Sequence, residues 1–124
     1  MAIDKKNTEK LKSIVKEYGW PTISLVGKKS SHLAWLLVQH SDHDLEFQEK
    51  CLLLLKEAVK KNDASPKNLA YLTDRIRVAK NKPQLFGTQF KTEADGNFIS
   101  FPIYKPKEIN KRRKKYGLES LEKY

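Results

Sequence analysis

Residues 30–48 read SSHLAWLLVQHSDHDLEFQ, and no other stretch constrains the fold as strongly. It is the longest apolar run with polar groups set into it. Leu33 to Val38 leads straight into Gln39, His40, Ser41, Asp42, His43 and Asp44, and the stretch holds all three histidines, with His32 at its start. An apolar helix that ends on polar groups delivers them to a place where burial restricts water and fixes geometry. On an ideal helix His40 lies near Leu33, Leu36 and Leu37, which turns it toward the core side, and this is the arrangement expected of a pocket.

The flanking sequence supplies further helices. Leu11, Ile14, Val15 and Tyr18 repeat at helical spacing, which predicts a helix over 4–18 stopped by Gly19. Trp20-Pro21-Thr22 is a turn, because Pro21 disfavours helix in the residue before it. The spacing leaves ISLVG open between an extended segment and a helical turn. Ser30 or Ser31 is the expected N-cap of the helix that runs to about His40, and Ser41 or Asp42 of the one after it. Leu45, Gln48, Leu52, Leu55 and Val59 carry that next helix to about Lys61. Ser65-Pro66 opens another, with Leu69, Leu72, Thr73 and Ile76 as its inner face. After Asn81-Lys82-Pro83 the pattern changes. QLFGTQF and NFISFPIY flank Asp95-Gly96, a strong signal for a two-residue primed turn. Strand alternation would put Gln84, Phe86 and Thr88 on one face and Leu85, Gly87 and Gln89 on the other. The expected fold class is therefore mainly α: a single domain of four or more helices, with a C-terminal β-hairpin packed on them.

At 124 residues the chain fits one domain that can bury a core without disulfides. Its lone cysteine, Cys51, excludes an internal disulfide and fits a reducing compartment. The N-terminal residues contain no apolar signal region, and no apolar run is long enough to span a bilayer, so a cytoplasmic protein without a membrane role is expected. The net charge of +10 is uneven. Residues 105–124 hold eight bases against three acids, half of the excess. The expected division is a helical domain with hairpin over 1–104 and a basic segment over 105–124 packed on it.

Two functional readings follow. In the first, His40 is a general acid or base oriented by Asp44 or Asp74, with hydrolysis as the chemistry and a small molecule or peptide as the ligand. Arg75 would hold an anion, Gln84 and Gln89 would donate hydrogen bonds, and Gly87 would admit a ligand backbone. The plainer alternatives are a satisfied histidine at a helix corner, an Asp42 or Asp44 that only caps a helix, and an Asp74–Arg75 ion pair. In the second reading KRRKK engages nucleic acid or an acidic protein, weakly and with steep salt dependence. No cofactor is expected. His40 and Asp44 are four apart with His43 nearby, but this is no recognised metal spacing, and the turn at Ser41 breaks helical register. There is no phosphate loop and no nucleophile elbow. Oligomeric state is not encoded in any motif.

GWPT, VG, AWLLVQHSDHDLEFQ, YLTDR, PQLFGTQ and RRKKYGLESLEKY together resemble a bacterial domain family of unknown function. Its pattern is similar to GWP(T), QHxDxDxxFQ, LxDR, PQxYGTQ and RRxxxGLxxLxxY, in that order. The resemblance spans Asp4 to Tyr124, with Phe86 standing where the family has Tyr. It implies that Gln39, His40, Asp42, Asp44, Gln48, Asp74, Arg75, Gln84, Gly87, Thr88 and Gln89 cluster. It also implies that RRKKYGL is part of the domain.

Overall fold

The structure, a computed structural model, describes residues 2–121, with side chains from Lys5 onward. It is mainly α. Among the described residues there are six helices: α1 (Ala2–Tyr18), α2 (Ile23–Val26), α3 (Lys28–Gln39), α4 (Leu45–Lys60), α5 (Pro66–Ala79) and α6 (Ile109–Lys115). An antiparallel hairpin, β1 (Phe90–Thr92) and β2 (Phe98–Ser100), precedes α6. The chain divides into two compact units, residues 1–69 and 70–124.

In the first unit α3 is the central element and packs on α1, α2 and α4. Its buried face is Ser31, Ala34, Trp35, Val38 and Gln39, and α4 contributes Phe47, Gln48, Cys51, Leu55 and Ala58. The stripe expected from Leu33, Leu36 and Leu37 is on the other side: Leu33 is 49% exposed and the other two are 37% exposed. His40 shares that outer side and is exposed, which corrects the expectation that it turns toward the core. A run this apolar hides its own face, because every candidate stripe contains leucine.

The helix starts also differ from expectation. Neither Ser30 nor Ser31 caps α3. Gly27 does, at φ +87°, and Ser31 is buried with its hydroxyl donating to Pro21 O at 2.8 Å. For α4 the cap is Asp44, whose Oδ1 accepts from Phe47 N at 3.1 Å. Asp44 can reach back over the first turn, whereas Ser41 is committed to the end of α3. α5 starts as expected, with Ser65 Oγ accepting from Asn68 N at 3.4 Å.

The second unit holds the larger correction. Gln84–Gln89 is not a strand, apart from a single bridge between Gln84 and Ile103. The hairpin is confined to residues 90–100, with Phe90 opposite Ser100, Lys91 opposite Ile99 and Thr92 opposite Phe98. Its turn is not the two-residue primed type. Glu93 N donates to Asn97 O and Gly96 N to Glu93 O, and Gly96 alone carries a positive φ of +87°. This is a three-residue loop closed by glycine, with Asp95 Oδ1 accepting from Asn97 N at 3.0 Å.

Candidate functional site

The polar residues of the first unit fasten a helix corner. Ser41, fully buried, donates to Leu37 O at 2.7 Å and hydrogen-bonds the Thr8 hydroxyl of α1 at 2.7 Å. Gln48, also fully buried, reaches back from α4 to the end of α3. Its Nε2 donates to Val38 O at 3.0 Å, Gln39 O at 3.4 Å and Asp42 Oδ1 at 3.3 Å. The first two are carbonyls of the last turn of α3, which have no partner four residues further along the helix. Asp44 adds a 2.9 Å ion pair to Lys12 of α1, and the Lys12 ammonium stands 5.9 Å above the Phe47 ring. The hydrogen bond from Lys12 holds the Asp44 carboxyl below its usual range. His40 and His43 are exposed beside this corner, and His32 tilts against Trp35 with Asn68 Nδ2 3.2 Å from its Nδ1. Burial pushes the Cys51 thiol up to about 12, so it stays a protonated packing group.

In the second unit Asp74, fully buried on α5, organises the segment from Gln84 to Gln89. Its Oδ1 accepts from Leu85 N at 2.8 Å and Phe86 N at 3.0 Å. Its Oδ2 accepts from Thr88 N at 3.0 Å and the Thr88 hydroxyl at 2.8 Å. Burial raises the Asp74 carboxyl above its usual range, and the bonds from Thr88, Leu85 and Phe86 pull it back toward the charged form. The carbonyls of the same segment go to two arginines. Arg112 Nε donates to Leu85 O at 2.7 Å, and Arg113 Nη1 donates to Phe86 O at 2.6 Å. Gln84 closes the loop, with Nε2 donating to Gln89 O and Phe101 O, both at 3.0 Å, and Oε1 accepting from Gln89 N at 2.9 Å. A segment without helix or sheet must place its backbone groups somewhere, and here side chains take them. Gly87, at φ +70°, is a packing glycine: a Cβ there would stand 3.3 Å from Leu121 Cδ1. Phe86 is buried against Tyr116, ring centroids 4.7 Å apart. Arg75, next to Asp74, is half-buried.

The predicted residues therefore fall into two groups. Gln39, His40, Asp42, Asp44 and Gln48 sit at the α3–α4 corner, and Asp74, Gln84, Gly87, Thr88 and Gln89 sit in one network of the second unit. Reading by residue type missed that the arginine pair belongs to this second network. A signal was present, because Ile109 and Arg113 are four apart on one face of α6 and both are buried.

Beside the two arginines, the cations of residues 105–115 are lysines. Lys105, Lys107, Lys111, Lys114 and Lys115 are all exposed. A cleft of about 260 Å³ is lined by Tyr104, Lys105, Glu108, Lys111, Arg112 and Lys115. Lys105 Nζ lies 5.4 Å and the Arg112 guanidinium 5.8 Å from the Tyr104 ring centre. A cleft of about 390 Å³ between α1 and α4 differs in charge: Lys12, Lys16 and Lys50 meet Glu9, Asp44 and Glu46, so it has no net sign. Among the described residues no three His, Cys, Asp or Glu side chains group as a metal site requires, and no helix is long and apolar enough to cross a membrane.

These features define a small, mainly α domain in which Gln48, Asp74, Gln84 and Arg113 are buried on its own backbone groups and residues 105–115 expose five lysines. The chain belongs to DUF6624, a family of unknown function, matched over residues 1–124. Neither the curated proteins nor the solved structures contain a match to it.

Proposed function

We propose that the chain is a non-enzymatic binding module that grips the phosphate backbone of nucleic acid with the lysines of its C-terminal segment. The observation that carries this is a division of labour within 105–115. Arg112 and Arg113 are spent on the carbonyls of Leu85 and Phe86, while five lysines of the segment remain exposed, three of them lining the cleft beside Tyr104. Cations without structural duty on one short segment are what sequence-independent phosphate contact uses. Acid–base catalysis has less support, since both Asp74 oxygens already accept from several donors of the 85–88 segment. The buried free thiol of Cys51 and the family resemblance support a bacterial cytoplasm as the setting.

The test is fluorescence anisotropy with a labelled oligonucleotide at low salt. Lys111→Glu with Lys115→Glu should weaken binding more than about tenfold while the circular dichroism spectrum is unchanged. Equal affinity of this variant and the wild type would refute the assignment.

A further inference from the structure

We infer that the nucleic acid is single-stranded, and that its unpaired bases stack on the aromatic face of the β1–β2 hairpin. This rests on the reading of the lysine segment as a phosphate-binding surface. Phe90 and Phe98 lie on one face of the hairpin, since their cross-strand pairs are Phe90–Ser100 and Thr92–Phe98. Both are exposed, and Phe98 is 77% exposed, far more than an aromatic ring needs for packing. With Ser100 and Leu121 they line an apolar groove of about 470 Å³. The wall of that groove is fastened to the basic helix, because Leu121 N donates to Asn110 Oδ1 at 2.7 Å. Asn110 directly precedes Lys111.

Charge complementarity selects the occupant. An apolar groove whose wall is bonded to a lysine-bearing helix suits a ligand that is flat and apolar on one side and anionic on the other. An unpaired nucleotide has that form, and a base buried inside a duplex cannot offer its face. Aromatic platforms beside a cationic track are the general solution for single strands, and they tolerate any sequence because every base has a π-face. Phe90 and Phe98 supply the platform, and the lysines of α6, the helix to which Leu121 is bonded through Asn110, supply the charge.

The experiment uses the full chain with three probes of equal length: an oligothymidylate, an abasic single strand with the same phosphates, and a duplex. The oligothymidylate should bind about tenfold more tightly than the abasic strand. Phe98→Ala should remove that advantage and leave abasic affinity unchanged. Phe98 is exposed, so the variant keeps the fold, and circular dichroism checks it. Equal binding of oligothymidylate and abasic strand would overturn the stacking proposal while leaving the phosphate reading intact. So would a duplex bound as tightly as the single strand. No binding to any probe at low salt would sink both readings together. Binding of poly-glutamate instead, weakened by Phe98→Ala, would assign the groove to an acidic protein and overturn the proposal.

Discussion

Asp74 and His40 were joined in one expectation, and their environments separate them. Asp74 is enclosed and accepts from three backbone amides and a hydroxyl. In Asp74→Asn one oxygen becomes an NH2 that faces donors instead of accepting from them. The expected loss is about 2–3 kcal/mol in urea denaturation, because buried donors are left unpaired. A loss below about 0.5 kcal/mol would mean that the loop does not depend on this carboxylate. His40, exposed at the end of α3, should tolerate His40→Gln within about 0.5 kcal/mol in the same assay. From sequence, Asp74 was conspicuous as an acid inside an apolar helical pattern. Its partners were not, because they are backbone amides about a dozen residues away, and amides are present at nearly every position.

At the scale of elements, α1, α4 and α5 were legible because their ends carry local signals: Gly19, the Leu45-to-Val59 spacing and Ser65-Pro66. The segment 84–89 was misread for a physical reason. A loop whose amides are satisfied by buried side chains can be as apolar as a strand, and composition does not separate the two. Gly87 in this segment and Gly96 in the hairpin turn make testable claims. Gly87→Ala meets both a positive φ and a crowded Leu121 methyl, and should cost about 1–2 kcal/mol. Gly96→Ala meets open space and should cost only the αL penalty, about 1 kcal/mol. Equal costs would show that crowding at Gly87 is unimportant. The α1–α4 link predicts a pH effect. Asp44 is held below its ordinary 3.8, so its contribution is present above that value and lost as pH falls through the folded value. Lys12 is raised above 10.5, so its side of the pair persists until strongly alkaline pH. Melting temperature should therefore drop below about pH 4, and Lys12→Met should flatten that drop. An unchanged acid limb in Lys12→Met would show that the pair does not couple to folding.

At the scale of the whole molecule, the charge excess of residues 105–124 was read from composition alone, but its partition was not. Composition treats KRRKK as five equal cations, whereas Arg113 is fully buried and Arg112 holds two neighbouring carbonyl segments. The exposed cations of residues 105–115 are Lys105, Lys107, Lys111, Lys114 and Lys115. The salt dependence of oligonucleotide binding tests this most directly. Five lysines that each neutralise one phosphate of a single strand, at about 0.7 per phosphate, give a log–log slope near −3.5 at most. Affinity should then fall by about a hundredfold between about 50 and 200 mM salt, with no preference for sequence. Affinity that holds across that range, or that selects one sequence, would contradict the account.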